Sequence, residues 1–157
     1  MSGEEALIAQ LIAAFGGTGR AVVGIGDDAA VLAAAENMVV TTDLLIEGVD
    51  FTRAIPLGLV AAKSLAVNLS DLAAMGAVSR SFVLSIGLPA DLIASFGGFA
   101  AGLADAAQRW NVSLVGGDLS ASRDLTISIT AFGQLAQGSA PMLRNGARPG
   151  PAAYGSA

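Results

Sequence analysis

One acidic residue, Asp71, stands inside the run Asn68-Leu69-Ser70-Asp71-Leu72-Ala73-Ala74-Met75-Gly76-Ala77, near the end of what reads as a helix of small and apolar residues. A lone carboxylate is costly to bury in such company unless something pairs with it. Any fold for this chain must bring a partner to Asp71 or leave that helix end open. Three more aspartates pose the same problem: Asp28 in Gly24-Ile25-Gly26-Asp27-Asp28-Ala29-Ala30, Asp43 in Val39-Val40-Thr41-Thr42-Asp43, and Asp118 in Leu114-Val115-Gly116-Gly117-Asp118. Each stands where a strand or helix gives way to a loop, beside Gly, Ser or Thr. Element ends are where sites are usually built.

Composition sharpens the point. Charged residues make up 13% of the 157-residue chain, about half the usual share, so those that remain carry more information. The net charge is −5 and no basic stripe exists, which argues against a nucleic-acid partner. Cysteine and histidine are both absent. That excludes disulfides, thiolate zinc sites, cysteine nucleophiles and Ser-His pairs, and removes the commonest general base. No catalytic nucleophile or base stands out. Carboxylates, hydroxyls, Lys/Arg and backbone remain, an oxygen-rich set that suits Mg²⁺ or Ca²⁺. The start, Met1-Ser2-Gly3-Glu4-Glu5, is acidic where a secretory leader would be basic. Apolar runs are broken by charges, Pro or Gly/Ser, so no membrane span is expected. The mean hydropathy of +0.66 instead suggests a partner surface, a second subunit or a second domain. A cytoplasmic protein of one domain fits all of this.

Along the chain, apolar residues at Ala6, Leu7, Leu11, Ile12 and Phe15 have helical spacing. Ser2 with Glu5 forms a capping-box pattern, and Gly16-Gly17 is a stop. Ala21 to Gly24, Ala29 to Ala33 and Met38 to Thr42 read as strands, with a turn at Glu36-Asn37. Leu44 to Glu47 continues the sheet. Pro56 opens a helix running to about Met75, stopped by Gly76. Phe82 to Leu88 is a strand closed by Pro89. Asp91 is an expected N-cap for a helix from Leu92 to Trp110, broken at Asn111. Val112 to Val115 is a strand ending at Gly116-Gly117-Asp118, and Leu125 to Gln134 alternates as a strand with one polar face. Hairpins mixed with crossovers predict an α+β fold.

The four aspartates have two readings. Asp beside Gly is often a turn residue or a helix cap. Four in so little charge are harder to account for as caps, and adjacent carboxylates such as Asp27-Asp28 repel unless a cation intervenes. In the second reading the fold gathers them around hard cations, with Thr41 and Thr42 adding hydroxyls, and the cations hold a nucleotide's phosphates. Gly24-Ile25-Gly26 and Gly116-Gly117 could bring backbone N–H groups to phosphate. The P-loop pattern is missing, as is the third glycine of a dinucleotide fingerprint. Arg144, near Arg148, could neutralise phosphate or be a solvated basic tail. Lys63 reads as a helix-face residue.

Five segments carry a resemblance: Gly-Ile-Gly-Asp-Asp-Ala-Ala-Val-Leu (24–32), Thr-Thr-Asp-Leu-Leu-Ile-Glu-Gly-Val (41–49), Ala-Val-Asn-Leu-Ser-Asp-Leu-Ala-Ala-Met-Gly-Ala (66–77), Leu-Val-Gly-Gly-Asp (114–118) and Leu-Arg-Asn-Gly-Ala-Arg-Pro-Gly (143–150). In this order and spacing the chain resembles the thiamine-monophosphate kinases, of the superfamily that includes aminoimidazole ribonucleotide synthetase. The resemblance implies ATP-dependent phosphorylation of thiamine monophosphate to thiamine diphosphate by direct transfer, with ATP as co-substrate and Mg²⁺ as cofactor. It implies a sheet with helices on one face, pairing across a homodimer into a β-barrel. It also implies Mg²⁺ ligands at Asp28, Thr41, Thr42, Asp43, Asp71 and Asp118, and ATP contacts at Gly117, Asp118 and Arg144.

Two departures stand beside it. The family usually has Glu-Gly-Val-His-Phe, with a histidine that helps hold substrate, where this chain has Glu47-Gly48-Val49-Asp50-Phe51. Asp50 at that substrate position would repel a phosphate unless a metal intervenes. The family also has a C-terminal domain of comparable size. The expected layout here is an ATP- and Mg²⁺-binding N-terminal domain over 4–150 and a divergent tail over 151–157, with the C-terminal domain absent. Two further readings follow: another enzyme of the superfamily with a different acceptor, or a non-catalytic dimerisation module.

Overall fold

A computed structural model describes residues 3–16, 37–143 and 146. Its elements are α1 (Gly3–Phe15), β1 (Met38–Ile46), α2 (Leu57–Ala74), β2 (Val78–Leu88), a 3-10 segment (Ala90–Ser95), α3 (Phe96–Arg109), β3 (Ser113–Ala121) and β4 (Thr126–Gln134). The strands expected over 21–24 and 29–33, the Ser2 cap, Asp27, Asp28, Arg144 and the tail lie outside the described residues.

The helix ends follow from single residues. Both α2 and α3 close with a residue of positive φ, Gly76 at 77° and Asn111 at 53°. At each, the chain folds back through two bonds: Gly76 N to Ala73 O and Ala77 N to Leu72 O, then Asn111 N to Gln108 O and Val112 N to Ala107 O. These pairs satisfy carbonyls that a helix end would otherwise leave bare. The next residue, Ala77 or Val112, is buried, which fixes the exit into the following strand.

The strands form one sheet in the order β1-β4-β2-β3. β4 runs antiparallel to β1 and to β2, whereas β2 and β3 are parallel. A parallel pair needs a crossover, which the 3-10 segment and α3 supply. The described helices lie on one face. Ile127, Ile129 and Ala131 of β4, each fully buried, point into that face along with Phe82, Leu84 and Ile86 of β2. Phe15 of α1 meets Phe82 edge-on, with ring centroids 6.2 Å apart. The fold is therefore α+β, as expected. Among the described residues the sheet is open, with β1 and β3 as its two edges.

Helices α2 and α3 cross at glycines. A Cβ on Gly102 would lie 2.3 Å from Gly58 Cα, so only glycine allows that approach. By length and hydropathy alone α2 could cross a membrane. In the fold it is a core helix, burying Val60, Ala61, Leu65, Leu69 and Leu72.

Three boundaries differ from expectation. β2 begins at Val78, before Phe82. β3 continues through Gly116-Gly117-Asp118 to Ala121, because Gly117 and Asp118 pair with Leu84 and Ser85 of β2. The segment after Pro89 is a 3-10 turn in which Asp91 caps nothing. Its carboxylate instead pairs with Arg53, a contact from 38 residues away that no local pattern signals.

Candidate metal and nucleotide site

Successive side chains of a strand point to opposite faces, and this divides the expected ligands. On β1, Thr41 and Asp43 face the helices, opposite Ala131 and Ile129. There they meet α2. The Thr41 hydroxyl donates to Asp71 Oδ2 at 3.0 Å. The carboxyl of Asp43 is pushed up by burial and by the neighbouring Asp71. Two carboxylates and a hydroxyl thus converge where the edge strand meets α2. Asp71 is exposed at this helix end, so its carboxylate escapes the burial cost that its apolar sequence neighbours suggest, and Thr41 is an added partner.

Asn68 organises this junction, although its sequence neighbourhood points to Asp71 alone. It is fully buried. Its Oδ1 accepts from the backbone N–H of Asp43 at 3.0 Å, and its Nδ2 donates to Ser64 O at 3.0 Å. The edge strand would otherwise leave that N–H unpaired. An asparagine one turn before Asp71 on an apolar helix was the available signal.

Thr42 and Asp118 face the other way. Thr42 donates to Ile129 O at 3.2 Å and accepts from the Thr130 hydroxyl at 3.1 Å. Asp118 lies in a cross-strand row with Ser85, Ser128 and Leu44 on the face away from the helices. It accepts from Ser120 Oγ at 3.2 Å. Thr42 and Asp118 stand on opposite edge strands, three strand spacings or roughly 14 Å apart. Accordingly, no group of three or more carboxylates comes together among the described residues.

Gly117 has φ 157°, and a Cβ there would sit 1.8 Å from Leu84 O. Its glycine is required by the β2–β3 pairing before any ligand is considered. Asp50 sits in the turn after β1. Its Oδ2 accepts from Ile46 N at 2.8 Å, so the carboxylate is folded onto its own turn. The Lys63 ammonium, from α2, donates to Asp50 O. Lys63 is thus a tether of this turn as well as a helix-face residue.

The donors at the junction are all oxygen, and burial beside a second carboxylate disfavours the ionised form of Asp43. A divalent cation would relieve that repulsion, and hard cations prefer such ligands. Mg²⁺ therefore fits Thr41, Asp43 and Asp71.

The mixed sheet with helices on one face and an acidic junction at its edge agrees with the sequence comparison. Residues 26–135 match the N-terminal domain model of the AIR synthase related proteins, and the chain belongs to that family. Within it, the chain is similar to the thiamine-monophosphate kinase of Rhodopirellula baltica, 39% identical over 147 residues that span 86% of this chain and 46% of that protein. A crystal structure of thiamine-monophosphate kinase from Stenotrophomonas maltophilia matches 86% of this chain and 43% of its own, with 39% identity and a TM-score of 0.73. A structure of AaThiL complexed with AMPPCP and TMP matches 83% of this chain and 41% of its own, with 32% identity and a TM-score of 0.61. The chain spans about half the length of the curated relatives it matches, 46% and 45% for the first two.

Proposed function

We propose that this chain is the ATP- and Mg²⁺-binding N-terminal domain, over 4–150, of a thiamine-monophosphate kinase. The complete protein would phosphorylate thiamine monophosphate to thiamine diphosphate with ATP, in the cytoplasm. The observation that carries this reading is the Thr41–Asp43–Asp71 junction in a chain whose relatives bear that name. Mg²⁺ bound there would neutralise phosphate charge. The chain's own residues hold Asp71 and Asp43 side by side through Thr41 and Asn68, which fixes the geometry before a ligand arrives. Direct transfer needs positioning and charge neutralisation more than covalent chemistry, which suits a chain with no histidine or cysteine.

Asp28 would add a Mg²⁺ ligand at that junction, while Thr42 and Asp118, on the opposite face, would serve a further Mg²⁺ ion. Gly117, Asp118 and Arg144 would lie along the ATP phosphates, and Asp50 beside the substrate. A homodimer pairing its open sheet faces into a barrel would bring nucleotide near the interface. Support for the homodimer comes from Met38, Val40 and Leu44 of β1, each more than half exposed on the face away from the helices. Apolar rows of that kind mark interaction surfaces.

Calorimetry with AMPPCP tests the core of this reading. Binding is expected with Mg²⁺ and lost with EDTA, and Asp71→Asn is expected to abolish it. Unchanged affinity in the variant would remove Asp71 from the site.

A further inference from the structure

Beyond β4 the chain turns, with Ser139 N donating to Ala136 O at 3.0 Å and Gly138 at φ 77°. It then meets the end of α2, where Met142 N donates to Met75 O at 3.1 Å. The Met142 side chain lies over Gly76, where a Cβ would come within 3.0 Å of Met142 Cε. Gly76 therefore serves twice, as the left-handed stop of α2 and as the bare surface that receives Met142. Met142 is nevertheless 61% exposed. Burial of apolar surface does not account for this contact.

Two further bonds give the tie a direction. On the helix side, Met75 N donates to Asp71 O at 3.1 Å, so the tie grips the turn of α2 that carries Asp71. On the other side, Gly146 N donates to Leu143 O at 2.9 Å, closing the chain tightly just past the tie. Arg144 is one of the two residues that this bond spans in sequence, and it stands two residues from Met142. Asp71 and Met75 are one turn apart, about 6 Å along the helix axis. Two residues of chain reach at most about 7 Å. Those spans let a cation at Asp71 and a guanidinium on the returning segment meet one phosphate chain.

We propose that Met142 is a positioning residue of the nucleotide site. It holds no ligand itself. Its N–H and side chain tie the segment bearing Arg144 to the turn bearing Asp71, so that less of that segment must be ordered when nucleotide binds. The nucleotide rests on the function proposed above. The tie does not.

The test is a double-mutant cycle, with Mg²⁺–AMPPCP affinity read by calorimetry. Met142→Pro removes the donor, whereas Met142→Leu keeps both donor and bulk. Met142→Pro should bind about fivefold more weakly, the worth of one backbone hydrogen bond, and Met142→Leu within about twofold of the parent. Arg144→Ala should bind about tenfold more weakly or worse, as loss of a charge-assisted contact gives. Adding Met142→Pro to Arg144→Ala should cost nothing more, because the tie then has no guanidinium to place. A general weakening of the fold would instead add in both backgrounds. A second measurement needs no change at 142. By reciprocity, hydrogen exchange at the Met142 amide should slow about fivefold when Mg²⁺–AMPPCP binds the parent, and not in Arg144→Ala. An additive cycle, a Met142→Pro or Arg144→Ala that binds like the parent, or an amide indifferent to nucleotide overturns the inference and leaves the kinase reading standing. If the parent binds no Mg²⁺–AMPPCP, both are overturned.

Discussion

Replacing Gly117 with alanine separates two reasons for a glycine at that position. One is close approach of backbone to a phosphate, and the other is the packing of β3 on β2. The added Cβ would lie 1.8 Å from Leu84 O and 2.8 Å from Leu84 C, where ordinary carbon contacts are about 3.5 Å or longer. The strands must part by more than an ångström at the step that carries Asp118. That loosens at least one ladder hydrogen bond, a net loss of about 1 kcal/mol. The backbone at φ 157° adds strain for a residue with a Cβ, of order 1–3 kcal/mol. Together these predict a loss of about 3 kcal/mol in the ligand-free chain, a large part of the 5–15 kcal/mol typical of a domain. With a urea slope of about 1.5 kcal/mol/M, the midpoint falls by about 2 M. The assay is urea unfolding in EDTA, so that no ligand contributes. Gly98→Ala is the control: nothing lies within 4 Å of its Cβ, and a helix interior should gain about 0.5–1 kcal/mol from the exchange. An unchanged midpoint in Gly117→Ala, with nucleotide binding lost, would refute the packing argument and leave the phosphate as the glycine's only reason.

Asp43→Asn tests the like-charge junction. The Asp43 pKa is raised above 3.8 in the folded chain, so its stability contribution is full below the ordinary value and is lost as pH rises through the folded value. The variant should therefore unfold at higher urea than the parent at pH 7 in EDTA, with the difference closing below pH 3.8; a difference that persisted in acid would mean charge is not the cause. Saturating Mg²⁺ should reverse the order at pH 7, because only the parent gains from the cation. Asn68→Ala leaves the Asp43 N–H without its side-chain partner and should cost about 1–3 kcal/mol in the same assay. Its Mg²⁺–AMPPCP affinity should also fall, which a purely local packing defect would not produce. Gly102→Ala drives a methyl to within 2.3 Å of Gly58 Cα and should lose about 2 kcal/mol by thermal or urea unfolding.

The sequence showed most where one residue decides a local conformation. Gly76 and Asn111 were readable as helix stops because left-handed backbone favours glycine and asparagine, and both close their helices. The alternation over 125–134 marked β4 because period 2 is a property of the chain itself. What sequence could not show was set by strand order. β1 and β3 are opposite edges of one sheet, so Asp43 and Asp118, alike in their flanking residues, stand apart. Asp91 looks like a cap until Arg53 arrives from a distant turn. Gly116-Gly117 looks like a loop, yet glycine is what lets β3 run close beside Leu84. The same logic bears on the ligands. Thr41 and Thr42 are neighbours in sequence, but one hydroxyl meets Asp71 beside α2 and the other meets Thr130 on the bare face. A single sheet cannot offer both to one ion. Thr41, Asp43 and Asp71 form one set of donors, Thr42 and Asp118 belong to the opposite face, and the exposed apolar rows on that face are the reason to look for a second copy of the chain there.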